Sequence, residues 1–255
     1  MKITMLFIAA IAIVATAVIA IAGPGARLGL WDYGTGLTIM RSMKFPALVL
    51  AVLAGASTIF AFVKGEQLAP WLLAATIATA CAAFVPIKFG NLVQANPLIH
   101  DITTDFEDPP KIVAGGALPR RNPPGYYGTQ KAPSSSLTVA EAQRRAFPDI
   151  EPLVVNMDVG AAGELARLVV EEMNMEILDV GTSDGEVTLE ATYTSFWFGF
   201  VDDFVVRLKQ NGENTRIDVR SKSRVGISDL GANANRIREF YSNLRERIPS
   251  ANSGV

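Results

Sequence analysis

The sequence predicts an α-helical transmembrane N-terminal region of three helices and a soluble α+β domain, in which an antiparallel sheet has helices on one face. The first observation is that residues 1–88 carry only eight charged residues, between long apolar runs. The second is a period-two alternation of apolar and polar residues in the C-terminal half, and the third is helical spacing of apolar residues on either side of it. We divide the chain into a three-helix transmembrane region (1–88), a strap or linker rich in proline and glycine (89–137), a soluble domain (138–248) and a disordered tail (249–255).

Three apolar runs are long enough to cross a membrane. In residues 3–22 only Thr4 and Thr16 are polar, and about 20 apolar residues span a bilayer as a helix. Lys2 gives this run the look of a signal sequence, but the run is longer than a signal core, so we predict that it is retained. The other runs, 47–63 and 68–87, are close enough to form an antiparallel helical hairpin. No run contains a charged residue, which argues against an ion pathway.

The side of the membrane that holds the soluble domain is left open by the charges. The loop side carries Arg27, Arg41, Lys44 and Lys88, and the opposite side carries Lys2, Lys64 and the α-amino group. The basic residues favour a cytoplasmic domain, whereas the signal-like start favours a periplasmic one, and we slightly favour the periplasmic side. Residues 23–46 are expected to form a loop, with Trp31 and Tyr33 at the membrane interface.

The strap is predicted to lack regular secondary structure, because its prolines remove N–H donors and restrict φ. It contains a stretch in which His100, Asp101 and Asp105 precede Glu107 and Asp108. These side chain types can bind a metal, but turn formation and docking of a strap along the soluble domain are the favoured explanation. We predict a structural strap and no metal site.

The soluble domain is predicted element by element from local pattern. Residues 136–146 resemble a short helix, for which Ser136-x-Thr138 gives a cap before Val139. Asp158 suits the N-cap of a second helix that ends near residue 173. Strands are predicted at 151–157, 175–180, 186–195, 203–209 and 215–224, and a final helix at 232–248. In the last strand Ile217 and Val219 alternate with charged residues, which predicts one buried face and one polar face. That polar face is expected to be open or covered by the strap.

Composition excludes several classes of function. Cys81 and His100 are the only cysteine and histidine, so within this sequence neither a disulfide, nor a zinc cluster of these residues, nor a triad with a second histidine can form. Residues 204–255 hold 10 basic and 5 acidic residues, against 7 basic and 18 acidic in 101–203. This excess is too small for a nucleic-acid surface. We predict no cofactor and no nucleic-acid partner.

The stretch 217–238 concentrates the candidate binding residues at a strand-to-helix junction. Arg220, Arg224 and Arg236 can pair with an anion that also accepts hydrogen bonds from N–H groups at the helix N-terminus. The candidate ligand-binding residues are Arg220, Ser221, Ser223, Arg224, Asp229, Asn233 and Arg236. A structural alternative stays open, in which Asp229 is the helix N-cap and Arg224 is its ion-pair partner.

Two further functions are weighed against binding. A hydrolase would use His100 or Asp101 with a second carboxylate as acid and base, but no spacing specifies such a site and we predict no catalytic residue. The secondary candidates are His100, Asp101, Asp105, Trp197, Asp202 and Asp203. A structural subunit of a membrane complex is suggested by small-residue faces in the spans, Ala51-x-x-x-Gly55 and Ala75-x-x-x-Thr79-x-x-x-Ala83.

Three segments resemble the bacterial membrane-bound branch of the family called domain of unknown function 1499. They are residues 99–105 with Asp108-Pro109-Pro110, residues 197–207 and residues 218–238. The resemblance covers about residues 90–245, and the three preceding spans are also similar to that branch. It implies a bacterial membrane protein and supplies no mechanism, since the family carries no established activity.

Together these observations predict a multi-pass protein of the bacterial inner membrane. We expect it to be a binding or accessory module of the envelope. Its partners would be the lipid bilayer and either an anionic small molecule or a membrane protein.

Overall fold

The computed structural model describes residues 1–183 and 185–248, so the predicted tail at 249–255 lies outside the described residues. The chain forms two compact units. The helical unit comprises Met1–Ala95 together with Phe196–Gly199. The sheet domain comprises Asn96–Ser195 and the described residues from Phe200 onward.

The helical unit contains three helices that are long and apolar enough to cross a membrane, which confirms the prediction. They are α1 (Lys2–Arg27), α3 (Lys44–Val63) and α4 (Ala69–Ala95). A further helix, α2 (Tyr33–Ser42), lies in the segment for which the sequence predicts a loop. Asp32 begins it by accepting a hydrogen bond from the Thr35 N–H. Its two glycines conceal the helix at the sequence level, because glycine is a weak helix former.

Small residues pack the helices of this unit against one another. Thr79 is buried on α4, and the Thr16 hydroxyl donates to the Thr79 hydroxyl over 3.3 Å. The hydroxyl oxygens of Thr58 and Thr76 lie 2.9 Å apart between α3 and α4. The small-residue faces therefore serve contacts inside the unit, where close approach of helices is favourable.

The aromatic segment between the fourth and fifth strands belongs to the helical unit. The Trp197 indole N–H donates to the Ala20 carbonyl over 3.2 Å. A Cβ atom placed on Gly23 would lie 2.7 Å from the Trp197 ring, and one on Gly36 would lie 2.8 Å from the Phe198 ring. These two glycines are required because a side chain would occupy the space of the rings.

The sheet domain is built on an antiparallel sheet in the order β1-β6-β5-β4-β3, with β2 paired to β6 beside β1. The strands are β1 (Asp101–Thr103), β2 (Leu153–Val155), β3 (Glu176–Ser183), β4 (Glu186–Thr194), β5 (Val201–Asn211) and β6 (Asn214–Ser223). The helices are α5 (Val139–Ala146), α6 (Val159–Glu172) and α7 (Ala232–Arg247). The Thr138 and Asp158 caps form as predicted.

One face of the sheet packs on helices and contains the apolar core. Alternation along the strands places Leu189, Val206 and Ile217 on this side, where all three are buried. The ring of Phe204 on β5 meets the ring of Phe240 on α7 edge to face, with centroids 5.4 Å apart. The predicted α+β architecture, an antiparallel sheet with helices packed on one face, is confirmed.

The other face is covered by the covering loop, which we define as residues 104–138 between β1 and α5. The strand β1 that precedes it lies inside the predicted strap, where the sequence indicates no regular structure. Three residues are too few to show a strand alternation, and β1 exists because it pairs with β6 from Asp101–Lys222 to Thr103–Arg220. The covering loop thus closes the polar face of β6, which is not open to solvent.

Candidate functional site

The sheet separates the residues that the sequence groups into one ligand site. Successive side chains of a strand point to opposite faces, so Arg220 and Arg224 lie under the covering loop while Ser221 and Ser223 lie on the helix side. Asn233 and Arg236 of α7 join the two serines. We call the charged residues under the loop the loop-face network and the polar residues beside the start of α7 the helix-face cluster.

Asp101 is the centre of the loop-face network. Arg220 donates two hydrogen bonds of 2.9 Å to its carboxylate, and the Lys222 ammonium donates a third over 2.8 Å. Burial by itself raises the pKa of Asp101, but the hydrogen bonds and charges of Arg220 and Lys222 outweigh burial and hold the pKa below its usual value. Both cations are almost completely buried, with 2 % and 1 % of their surface exposed.

The remaining donors of these two cations are satisfied by the covering loop. Arg220 donates to the carbonyls of Pro110 and Pro124, and Lys222 donates to the carbonyl of Gly125. The Tyr126 ring lies 5.5 Å from the Arg220 guanidinium carbon, close enough for a cation–π contact. Desolvation raises the pKa of Tyr126 to about 12.

Asp203 forms a second ion-pair centre on the same face. It binds Arg224 over 2.8 Å and Arg120 over 2.6 Å, with all three side chains nearly inaccessible. The Arg224 partner is therefore Asp203, and the pairing with Asp229 considered from the sequence is wrong. A Cβ atom on Gly115 would lie 2.5 Å from an Asp203 oxygen, so the loop backbone approaches this pair closely.

The acidic stretch of the covering loop supplies the third centre. Asp105 and Asp108 bind Arg207 over 3.1 and 2.9 Å, and Asp218 binds the same guanidinium over 3.0 Å from the neighbouring strand. Arg216 also reaches Asp105 over 3.1 Å. The carboxylates of this acidic stretch thus neutralise Arg207 of β5 and Arg216 of β6.

Glu190 of β4 fixes the loop without a cation. Its two carboxylate oxygens accept hydrogen bonds of 3.0–3.1 Å from the N–H groups of Val113, Ala114 and Gly115. Successive N–H groups that converge in this way form an anion-binding concavity. Here the anion is a side chain of the protein itself.

The helix-face cluster is centred on Arg236, near the N-terminus of α7. Its guanidinium donates to Asp202 and to the Ser221 hydroxyl, each over 2.8 Å, and lies 4.3 Å from the centre of the Tyr193 ring. Asn233 links the cluster to β1 and β6 by donating to the His100 carbonyl and to the Ser223 hydroxyl. Serine, asparagine and carboxylate therefore satisfy the buried arginine.

Asp229 serves the start of α7, although it is not the N-cap residue itself. The N-cap position is Gly231, with φ of 83°, and the Asp229 carboxylate accepts hydrogen bonds of 2.9 Å from the N–H groups of Gly231 and Asn233. Burial raises the pKa of Asp229 to about 6, against the effect of these hydrogen bonds, and the charge of Asp202 acts in the same direction as burial.

His100 directly precedes β1 and is influenced by charges of both groups. Burial lowers its pKa, the positive charge of Lys222 lowers it further, and Asp101 and Asp202 oppose both effects. The secondary candidates thus divide: His100, Asp101 and Asp202 are electrostatic neighbours, Asp203 and Asp105 lie in separate loop-face centres, and Trp197 lies in the helical unit. Among the described residues there is no group of three or more His, Cys, Asp or Glu that could hold a metal ion.

Several residues of these networks carry no signal that the sequence analysis could use. Arg120 lies in a proline-rich segment and Glu190 occupies an ordinary polar position of an alternating strand. Their importance comes from partners 83 and about 75 residues away. A charged residue on the polar face of a strand is usually solvated, so pattern alone gives no reason to single out either one.

Comparison with known proteins agrees with the resemblance seen in the sequence. A search of curated proteins finds no match. A family model described as "Protein of unknown function (DUF1499)" matches residues 101–244, which is more than half of the chain and extends from β1 into α7. With three helices suited to a membrane ahead of this range, the architecture is consistent with the membrane-bound branch of that family. The chain belongs to the DUF1499 family.

Proposed function

We propose that this protein is a membrane-anchored accessory module of the bacterial inner membrane whose sheet domain binds a partner protein. The observation that carries the proposal is the internal pairing of the basic residues at the candidate site. Arg220, Arg224 and Arg236 each have a carboxylate of the same domain within 2.9 Å. A protein surface is then a better-supported partner than a small anion.

The energetic argument is the cost of opening a buried ion pair. A small anion at Arg220 would have to displace Asp101, and one at Arg236 would have to displace Asp202. Each displaced carboxylate is itself buried, and an unpaired buried charge costs about 3–5 kcal/mol. An anion gains no comparable energy from arginines that are already satisfied.

Site-specific photo-cross-linking in intact membranes tests the proposal. A photoreactive side chain is placed, one position at a time, on exposed residues of the sheet domain. The positions are Val154, Leu168, Thr182, Glu213 and Ile227. We expect discrete adducts with one other protein from a contiguous subset of these positions, dependent on irradiation. Their absence at every position would contradict the proposal.

The anionic small molecule is the competing outcome, and inorganic phosphate serves as its probe. With purified full-length protein, we expect phosphate to leave hydrogen exchange in the first turn of α7 unchanged, because Arg236 is already paired. Protection of this turn by phosphate, lost in Arg236→Gln, would favour an anion site instead.

The proposal places the sheet domain in the periplasm. The signal-like start of the chain supports this side, whereas the basic residues of the membrane flanks favour the other. Fusion of a reporter active only in the cytoplasm and of one active only in the periplasm, each after residue 248, decides between them. A signal from the cytoplasmic reporter alone would contradict this part of the proposal.

A hydrolytic role is a second candidate, supported by the pKa of about 6 at Asp229 and by the nearness of His100 to two carboxylates. Groups that titrate near neutral pH are suited to general acid–base catalysis. Asp101 and Asp202, however, already bind Arg220 and Arg236. Hydrolysis of an ester or phosphoester probe that is lost in His100→Gln, with the fold retained, would favour the enzyme.

A further inference from the structure

We infer that β3 is the docking edge of the sheet domain and that it accepts an extended, basic segment of the partner as an added antiparallel or parallel strand. This inference rests on the proposed function, since it names the surface and the chemistry of the same partner. Strand addition uses the unpaired backbone groups of an outer strand for affinity and the side chains on its two faces for specificity.

The two edges of the sheet differ in how they end. The outer side of β6 is closed by β1 and β2. Among the described residues β3 pairs only with β4, and every residue from Asp179 to Ser183 is exposed. A strand in this position presents a row of free N–H and C=O groups.

The register identifies which backbone groups of β3 point outward. Ser183 pairs with Glu186 across the two-residue hairpin connection, and such a connection joins residues that exchange hydrogen bonds. Bonded and non-bonded pairs alternate along an antiparallel ladder. Val180 and Thr182, which oppose Leu189 and Val187, therefore direct their N–H and C=O groups away from the sheet.

The charge of this edge selects the partner. Residues 171–190 contain seven acidic residues and neither lysine nor arginine. Most of these acids have partners within the domain: Glu171 binds Arg167, Glu172 binds Arg247, Glu186 binds Lys209, and Glu190 holds the covering loop. Glu176 and Asp179 are exposed and have no basic partner among the described residues. They attract a basic strand.

The two sides of β3 predict the pattern of that strand. Asp179 opposes Glu190 and Glu176 opposes Thr192, so both acids lie on the loop side of the sheet. Val180 opposes Leu189 and lies on the helix side, where it is 48 % exposed. Because side chains of a strand alternate between faces, the added strand carries lysine or arginine on the loop side and apolar residues on the helix side.

A second copy of this chain fits the edge poorly. Pairing of β3 with another β3 brings Glu176 and Asp179 of two chains onto one face, and like charges on neighbouring strands are destabilising. The irregular register between Ile177 and Asp179 also interrupts the strand at this point, and such bulges protect edges against self-association. Charge therefore favours a basic partner over a homodimer.

A binding measurement with full-length protein in nanodiscs of zwitterionic lipid tests the inference. The probe is a short fluorescent peptide of alternating lysine and valine, and its counterpart has glutamate in place of lysine. We expect the basic peptide to bind and to slow hydrogen exchange at Val180 and Thr182. The acidic peptide should bind about tenfold or more weakly, equivalent to about 1.4 kcal/mol.

Two variants of β3 and two matched controls locate the binding. Val180→Pro removes an outward N–H, and Asp179→Lys reverses a charge. Each substitution should lower the affinity for the basic peptide about tenfold. Val180→Thr keeps the N–H, and Glu213→Lys makes the same charge change in the exposed turn between β5 and β6. Both controls should stay within about twofold of the unmodified protein, as surface changes do.

Each result separates the docking edge from partner binding in general. Equal affinity for the two peptides, no binding of the basic peptide, or equal loss in all four variants would overturn the inference. Dimerisation that is lost in Val180→Pro would also overturn it, because the occupant would be a second copy. Cross-links in membranes that arise only away from Thr182 would overturn the β3 edge while leaving the proposed function in place.

Discussion

On the helix side of the sheet Leu189, Val206 and Ile217 are buried among apolar neighbours, whereas on the loop side Asp101, Arg220 and Lys222 are equally buried among charges. The two sides therefore use opposite chemistry within one sheet. Apolar packing depends on shape and tolerates many neighbours. A buried charge depends on one particular partner, because its desolvation is offset only by a well-placed counter-charge.

This difference explains how a long irregular segment can cover a sheet. The covering loop has few apolar residues to bury, and its 3-10 turn at Gly115–Ala117 is its only helical element. It is held instead by Asp105 and Asp108 on Arg207, by Arg120 on Asp203 and by its backbone on Glu190. We therefore expect the covering loop to open locally when one charged partner is removed. A cavity on the helix side should instead destabilise the sheet as a whole.

The largest effect is expected from Asp101→Asn. It leaves Arg220 and Lys222 buried without a full counter-charge, which costs about 3–5 kcal/mol. Hydrogen exchange of the full-length protein should show the covering loop opening before β5 and β6. Asp149→Asn is the control, because its ion pair with Arg238 is largely exposed and should contribute less than about 1 kcal/mol. Equal losses of stability in the two variants would contradict the stronger dependence of the loop side on a buried counter-charge.

The helix side is probed by Leu208→Ala, which creates a cavity at a fully buried position of β5. Such a change costs about 3 kcal/mol. Here we expect faster exchange in β4, β5 and β6 together, with no earlier opening of the covering loop. The matched control is Leu168→Ala on α6, where the side chain is 41 % exposed. Selective release of the loop by Leu208→Ala would show that the two sides are not independent.

Asp229 tests the polar end of the helix side through pH. Its pKa of about 6 in the folded protein lies above the value of about 4 in an unfolded chain. The folded state thus binds this proton more tightly, so the contribution of Asp229 to stability falls as pH rises from about 4 to about 6, by about 2–3 kcal/mol. The melting temperature of Asp229→Asn should rise relative to the unmodified protein across this range.

Asp229→Ala separates the charge from the hydrogen bonds at the start of α7. It removes the acceptor for Gly231 and Asn233 at every pH, so we expect a loss of about 1 kcal/mol relative to Asp229→Asn that does not change with pH. An unmodified protein whose stability relative to Asp229→Asn stays constant between about pH 4 and 7 would contradict the raised pKa.

A small and local effect is expected from Glu190→Gln, which replaces a charged acceptor by a neutral amide with one acceptor oxygen. Weaker bonds to Val113, Ala114 and Gly115 should cost about 1–2 kcal/mol. Faster exchange confined to these three amides is the expected signature. Glu186→Gln on the same strand removes only a partly exposed pair with Lys209 and should leave them unchanged; faster exchange in both variants would argue against a specific role for Glu190.

Local patterns predicted most of the architecture, and the misses have particular causes. The alternation around Ile217 and Val219 predicted the buried and polar faces of β6, and the caps at Thr138 and Asp158 placed α5 and α6. The helix α2 was missed because Gly34 and Gly36 weaken its pattern. The strand β1 was missed because it is short and formed by pairing with β6.

The candidate site depends on contacts that no local pattern specifies. Proximity along the chain grouped Arg220 with Ser221 and Arg224 with Asp229, but adjacent residues of a strand point to opposite faces. The alternation of side chains along β6 is visible in the sequence, but the residues that bind them on each face of the sheet are not. Asp101, Asp202 and Asp203 lie beside their arginine partners because folding brings together segments that are distant in the sequence.

Local spacing is sufficient to predict the three apolar helices, the order of β2 to β6 along the chain and the buried and polar faces of β6, because these features depend on residues within one segment. Contacts between distant segments neutralise the cations of β6 from within the domain and leave β3 as the open edge of the sheet. Ion pairing and strand pairing join residues up to about 120 positions apart, and no local period records which distant segment will supply the partner.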